Sequence, residues 1–254
     1  MVLLERKRGP FRAAVLPLSV EYVTPLVAPT PEGATALEGL MSRVGRSVHQ
    51  ATFVLHPTLA DPAPFERAGF GVTQEWIAEM PIPAEGPVEA GWRRSAQKLV
   101  RRHGEAYRIE DDPRHAEAAV ALAGFALDRK GLGPLPHAPL RAMAARLVAS
   151  GEVSALAALA PGSEAPEGAV LYVPGAPTAH LWLMGSRPGP AMTVLLAVLA
   201  ARLREEGTQR LYLGGANVPE VAAFKLGFGG ARIARLRARW VGHPLLRALG
   251  RLRR

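Results

Sequence analysis

The sequence predicts an α/β protein made of two related units, of which the first is truncated. Short apolar segments of strand character alternate with segments of helical periodicity along the chain. The segment 191–206 is almost wholly apolar and is followed by Gly207, a pattern typical of a helix packed against a sheet. Residues 51–71 also align without a gap on 209–229 after a shift of 158 positions. Such a repeat predicts two domains of one type.

The first predicted unit covers residues 1–90. Its segments are, in order, a strand at 12–19, a helix at 32–49, a strand at 52–56, a short helix within 61–71 and a strand at 72–80. Residues 81–91 are rich in proline and glycine, as linkers often are. We therefore place the predicted domain boundary after residue 90.

The second predicted unit covers residues 91–254. Its segments are a basic helix at 92–104, a strand at 107–110, helices at 113–131 and 140–150, a hairpin at 153–160 and 168–174, a strand at 180–184, the helix at 191–206, the repeated segment and a strand at 232–240. The apolar face predicted for the first long helix comprises Ala118, Ala121, Leu122 and Phe125. The first unit has no counterpart of the strand at 107–110 or of the two helices after it, which is why we predict that it is truncated.

The second copy of the repeat is the most informative segment. It reads Leu-Tyr-Leu-Gly-Gly-Ala-Asn-Val-Pro-Glu-Val-Ala-Ala-Phe-Lys-Leu-Gly-Phe-Gly-Gly from residue 211 to residue 230. Gly214 and Gly215 after a short strand permit a positive φ or a close backbone approach. Asn217 is predicted to cap the next helix, with Glu220 completing a capping box. Asn217 is the only Asn of the chain and Lys225 is one of only four Lys among 31 basic residues.

The net charge of +9 is unevenly distributed. Residues 231–254 hold eight Arg and no acidic residue, which leaves +1 on the other 230 residues. Such a basic end predicts an anionic partner: nucleic acid, lipid head groups or a phosphorylated substrate.

Several classes of protein and site are disfavoured by composition. The chain has no Cys, so a thiol nucleophile, a disulfide or a thiolate metal site is excluded. The seven His show no metal-ligand spacing, and we expect no metal. No run of 18 apolar residues and no secretory signal occur, so we expect a cytoplasmic protein.

The order of elements over 107–240 resembles the GNAT acyltransferase fold, and two such units in tandem resemble the FemABX peptidyltransferases. Three local patterns carry the resemblance: the Arg-rich helix ending Arg-Arg-His-Gly, the Gly-Gly-Ala-Asn turn and Phe224-Lys225-x-x-Phe228-Gly229. The likeness is good over 90–240 and weaker over 11–80. It implies an aminoacyl-tRNA donor and a small amine acceptor such as a cell-wall precursor, with no cofactor.

The resemblance also implies roles for particular residues. Lys225 would stabilise the charge that develops on a carbonyl oxygen, or contact a donor phosphate, and Phe224 would position it. Asn217 and Gly215, in the turn before this helix, are the accompanying substrate-binding candidates. The truncated first unit puts acceptor binding in doubt, because that half helps to bind the acceptor in the family.

The loop before the long helix departs from the pattern of acetyl-CoA users, Arg/Gln-x-x-Gly-x-Gly/Ala. It reads Arg187-Pro-Gly-Pro-Ala191, one residue short, and Pro188 and Pro190 each remove an amide donor. This favours an aminoacyl-tRNA donor, with Arg187 as a substrate-binding candidate. Two alternatives stay open: an acyl-CoA-dependent N-acyltransferase, and a non-catalytic module that binds RNA or a membrane surface.

Basic residues near the end of the chain form two further candidates. Arg235, Arg237 and Arg239 share one face of the strand at 232–240, where they suit phosphates or guard an exposed sheet edge. The tail 244–254 is amphipathic at helical spacing and could meet an anionic membrane, tRNA or the domain core. Its apolar side comprises Leu245, Leu249 and Leu252, and its basic side comprises Arg247, Arg251 and Arg254.

Overall fold

The computed structural model describes residues 4–8, 11–15, 30–131, 134–244 and 246. They divide into two compact units. The first unit contains the described residues up to Trp76 and those from Ile233 onward, and the second contains Ile77–Arg232. In the described part of the chain, every helix is too short or too polar to cross a membrane.

The first unit is a small sheet with two helices. Its elements are β1 (Leu4–Arg8), β2 (Phe11–Val15), α1 (Pro31–Ser47), β3 (Gln50–Val54), α2 (Ala63–Arg67) and most of two longer strands, β4 (Gly71–Pro81) and β10 (Ala231–Val241). β2 pairs antiparallel with β1 and parallel with β3, and β3 pairs antiparallel with β10. Thr30 caps α1 by accepting a hydrogen bond from the amide of Gly33.

The core of the first unit is aromatic and aliphatic. Leu37 and Met41 of α1 are buried against Phe53, Phe65 and Phe70. These residues lie in the helix at 32–49, the strand at 52–56 and the segment 61–71 that the sequence predicts.

The second unit is a sheet covered on both faces. Its remaining elements are α3 (Arg94–His103), β5 (Arg108–Glu110), α4 (His115–Asp128), α5 (His137–Ala149), β6 (Ser154–Leu159), β7 (Pro166–Val173), β8 (Thr178–Ser186), α6 (Ala191–Glu205), β9 (Arg210–Gly215) and α7 (Pro219–Leu226). The strand order is β4-β9-β8-β7-β6-β5. Neighbouring strands are antiparallel, except that β8 and β9 run parallel.

Alternation along the strands divides the core of this unit into two layers. In β6, Leu156 and Ala158 pack on the side of α6, whereas Ala155 and Ala157 pack on the side of α4 and α5. α6 is buried almost all round, as its apolar sequence predicts. The face predicted for α4 is wrong apart from Leu122: Phe125 is exposed, and the buried residues are His115, Ala116, Ala119, Val120, Leu122, Ala123 and Gly124.

The repeat found in the sequence is present in the structure. The order α1-β3-α2-β4 recurs as α6-β9-α7-β10. The last strand of each copy pairs outside its own copy, because β4 pairs with β9 and β10 pairs with β3. The compact units therefore differ from the predicted division into 1–90 and 91–254: the last strand completes the first unit, and the presumed linker after β4 is part of the second.

The crossing of α4 over β8 leads to a stability prediction. A Cβ atom on Gly185 would lie 2.1 Å from the backbone carbon of Leu122, too close for any side chain. Gly185→Ala should therefore force α4 away from the sheet and lower the free energy of unfolding by about 1–3 kcal/mol. Gly91→Ala is the matched control, because a Cβ there meets no atom within 4 Å. Denaturant unfolding of both variants would test this, and equal stability would contradict the close contact.

Candidate active site

The two parallel strands of the second unit separate part-way along their length. β8 and β9 pair through Thr178–His180 and Arg210–Tyr212. Beyond this ladder β8 continues to Ser186 and β9 to Gly215. In open α/β sheets, ligands bind in the crevice at the carboxyl ends of parallel strands. This divergence therefore defines the candidate site.

A bulge in β9 reshapes its end beside this crevice. Ile77 of β4 pairs with Gly215 and Glu79 with Tyr212, so one residue of β4 lies opposite two residues of β9. Gly214, inside the bulge, has φ +78°, which confirms the predicted positive φ in this turn. β-bulges often lie next to active sites, where they bend the strand and change the direction of its side chains.

Lys225 lies at the end of β9 and is only 8% exposed. Its Nζ donates a hydrogen bond of 2.9 Å to the carbonyl oxygen of Gly215. Burying a lysine is costly unless its ammonium is well solvated by protein groups. The ammonium is therefore fixed at the carboxyl end of β9, where the two parallel strands have already separated.

The other residues of the Phe-Lys…Phe-Gly signature support this lysine. Phe224 meets the ring of Phe228 edge to face at 5.0 Å, and Phe228 meets Trp92 in the same manner at 4.8 Å. Phe228 is 1% exposed and Trp92 is 5% exposed. Phe224 thus anchors α7 to the core beside Lys225.

Asn217 does not cap α7, so the predicted capping box is wrong. The helix begins at Pro219, the N-cap residue is Val218 in an extended conformation, and no side chain caps the helix. Proline at the first helical position, with its fixed φ, moves the start of the helix one residue later than the asparagine requires. Asn217 is exposed in the connection between β9 and α7, at the candidate site.

Arg187 follows β8 and is exposed, while its backbone amide donates to the carbonyl of Glu167 at 2.8 Å. α6 then begins after Pro190, without a side-chain cap. The first residues of α6, Ala191 and Met192, are 1% and 4% exposed. A phosphate can reach the amides at this helix end less easily than at an open glycine-rich loop.

Solved structures of similar shape show which fold this is. FemX matches 97% of this chain and 85% of its own length, with a TM-score of 0.67 and 11% identity. The C-terminal domain of a putative lysylphosphatidylglycerol synthetase from Agrobacterium fabrum matches 98% of this chain and 83% of its own, with a TM-score of 0.63 and 13% identity. A tandem GNAT protein from the clavulanic acid biosynthesis pathway matches 91% and 76%, with a TM-score of 0.51 and 16% identity.

The chain therefore has the fold that is seen in FemX and in this tandem GNAT protein. No protein-family model matches the sequence and no curated protein matches it. At these identities the likeness establishes the fold, and it confirms the resemblance and the fold class predicted from the sequence.

The three arginines of β10 belong to the first unit of the chain. Arg235 is 8% exposed and lies 3.4 Å from Glu75, and Arg237 pairs with the other oxygen of the same carboxylate. Arg239 is exposed. Two of the three predicted phosphate-binding arginines thus already neutralise a buried carboxylate. The tail residues Leu245, Leu249, Leu252, Arg247, Arg251 and Arg254 lie outside the described residues.

Three polar residues that the sequence patterns do not single out meet where β8 and β9 last pair. His180 and Tyr212 are ladder partners with ring centroids 4.9 Å apart, and Glu79 is the partner of Tyr212 on β4. Burial and then the Glu79 carboxylate raise the pKa of the Tyr212 hydroxyl, so it stays protonated at neutral pH. The Glu79 carboxylate lies 4.0 Å from Arg210. The sequence carries no signal that these three residues meet, because only strand pairing brings them together.

Proposed function

We propose that this protein is a FemABX-like transferase that forms an amide bond on a small amine acceptor. The observation that carries the proposal is the buried ammonium of Lys225, held at the end of β9 where the parallel strands diverge. A fixed positive charge in a partly dry site stabilises a developing oxyanion without reorganisation of solvent.

In the proposed reaction, the acceptor amine attacks the ester carbonyl carbon of the donor. The new C–N bond forms, the carbonyl oxygen gains negative charge beside Lys225, and collapse of this intermediate breaks the C–O ester bond. Glu79 takes the proton that the amine loses and passes it to the departing ribose oxygen, which leaves as a hydroxyl. Phe224 and Gly215 hold the lysine in place, and Asn217 and Arg187 contact the donor or acceptor at the mouth of the crevice.

Aminoacyl-tRNA is the proposed donor, which places the reaction in the cytoplasm, and a cell-wall precursor is the proposed acceptor. The loop before α6 supports this choice over acyl-CoA, because Pro188 and Pro190 lack amide donors and the next amides belong to buried residues. The likeness to FemX and to a lysylphosphatidylglycerol synthetase domain agrees with it at the level of fold.

We expect acetyl-CoA to bind more weakly than about 1 mM, because the usual amide cradle for its pyrophosphate is incomplete. Isothermal titration calorimetry would measure this, with an acetyl-CoA-dependent GNAT enzyme as positive control. Labelled aminoacyl-tRNA and acetyl-CoA, offered side by side with amine acceptors, would show which donor is used. A micromolar dissociation constant with acetyl transfer would favour the acyl-CoA enzyme instead, and RNA binding without transfer from either donor would favour a non-catalytic module.

A further inference from the structure

Helix α3 exposes a strongly basic surface beside the candidate site. Residues 91–104 contain five Arg and Lys residues and no acidic residue. The cations are all exposed, and we call them the α3 basic face: Arg93, Arg94, Lys98, Arg101 and Arg102. From Arg94 to Arg102 the helix rises about 12 Å.

The opposite side of α3 is apolar and faces the core. Ala96 is 2% exposed, and Val100 packs against the cluster that contains α6. No apolar side chain is exposed among the described residues 93–102. A helix that lies on a membrane needs an exposed apolar stripe to insert, and α3 lacks one.

The N-terminal part of the basic face works against the stability of its own helix. Arg94 stands at the positive end of the helix dipole, and Lys98 repels both Arg94 and Arg102 at i,i+4 spacing. The first turn holds no acidic residue and has no side-chain cap. Among the described ion pairs, the arginines of this unit that meet a carboxylate are Arg108, Arg114, Arg202 and Arg210. Arg94 and Lys98 therefore have no stabilising role within the described structure, whereas Arg101 and Arg102 stand in the last turn, where the helix dipole favours cations.

The basic face begins where the helix of Lys225 ends. The amide of Arg93 donates to the carbonyl of Gly227 at 2.9 Å, and Gly227 is two residues beyond Lys225. A Cβ atom on Gly227 would lie 2.7 Å from the Arg93 Nε, so that side chain lies directly over the glycine. An extended polyanion on α3 would thus lead towards the end of α7 that holds the lysine.

We infer that the α3 basic face binds the phosphate backbone of the RNA donor and directs its aminoacyl end towards Lys225. This inference rests on the proposed function. Arginine forks and lysine ammonium groups suit phosphates, and several such contacts in a row release counterions. A row of cations without an exposed apolar residue fits an RNA strand better than a lipid surface.

The test compares two variants that remove the same number of charges. In one, Arg94, Lys98, Arg101 and Arg102 are each replaced by Gln. In the matched control, four exposed cations elsewhere in this unit are replaced by Gln. Two follow α4 and two lie on α5: Arg129, Lys130, Arg141 and Arg146. Binding of unacylated tRNA would be followed by fluorescence anisotropy between about 50 and 200 mM salt. The α3 variant should bind about 100-fold more weakly at low salt, and its salt slope should fall by about 1 for each phosphate that it no longer neutralises.

The control should bind RNA within about threefold of the wild type. Salt screens exposed charges from one another, so removing cations away from the α3 basic face should change RNA binding on that face little. The α3 variant should also unfold at about the same temperature as the wild type, because the repulsion that is removed offsets the lost interaction of Arg101 and Arg102 with the helix dipole. Equal RNA binding by the two variants would overturn the inference. Loss of binding to anionic phosphatidylglycerol vesicles, with RNA binding intact, would also overturn it and assign the face to a membrane.

A small donor separates this inference from the proposed function. Aminoacyl-adenosine carries the reactive ester but lacks the tRNA body, so the α3 variant should use it as fast as the wild type does. If the wild type transfers from neither donor while the α3 variant alone loses RNA binding, the result supports the RNA-binding surface and contradicts the proposed transfer reaction. If transfer occurs and both variants bind RNA alike, the result supports the transfer reaction and contradicts the RNA-binding surface.

Discussion

Lys225→Ala should lower kcat about 10²–10³-fold, the loss that follows removal of one oxyanion-stabilising donor. The ammonium is held at Gly215 by a 2.9 Å hydrogen bond in a site that excludes most water. A charge fixed in this way contributes most when charge develops on the substrate, so kcat should fall more than KM rises. Single-turnover transfer from aminoacyl-tRNA would measure the effect.

The burial of Lys225 requires a control for stability. Truncation to Ala leaves the carbonyl of Gly215 without this donor and opens a cavity, which costs about 1–3 kcal/mol. Lys225→Met fills the space without the charge, so it should lose activity as Lys225→Ala does while unfolding nearer to the wild type. If the Lys225→Met protein folds and turns over normally, the ammonium has no role in the mechanism.

Glu79→Gln should lower kcat about 10²-fold, the lower end of what a general base contributes. The substitution keeps the shape of the side chain beside Tyr212 and removes its capacity to accept a proton. Single-turnover transfer by both proteins would measure this loss of rate.

Arg210→Gln is the matched control for Glu79. It removes the charge 4.0 Å from the carboxylate without touching the proposed proton acceptor. Since Arg210 is about half exposed, we expect the stability and kcat of this variant to change little. If Glu79→Gln kept the wild-type rate, another group would have to accept the proton.

Hydrophobic periodicity along the chain is enough to indicate most of the elements. The helices α1 and α6, the hairpin of β6 and β7 and the repeat at 158 positions are all present. Local patterns suffice here, because an element's own apolar spacing determines which face it can bury. The Phe-Lys…Phe-Gly signature likewise points to Lys225 from sequence alone.

Local patterns failed where a neighbouring element decided the outcome. In α4 the predicted face includes Phe125, yet Gly185 of β8 admits the helix backbone so closely that small residues such as Ala119 and Ala123 take the buried side. At the start of α7, Pro219 takes the first helical position and leaves Asn217 outside the cap.

From the sequence alone it follows that two copies of one α/β unit succeed each other, and that Lys225 stands in a Phe-Lys…Phe-Gly signature after the second copy's strand. Only the tertiary structure decided that each copy's last strand pairs outside its own copy, that Lys225 is buried on Gly215 and that Glu79, Tyr212 and His180 meet. The physical reason is that strand pairing joins residues far apart in the chain through backbone hydrogen bonds, which carry no signature in side-chain sequence.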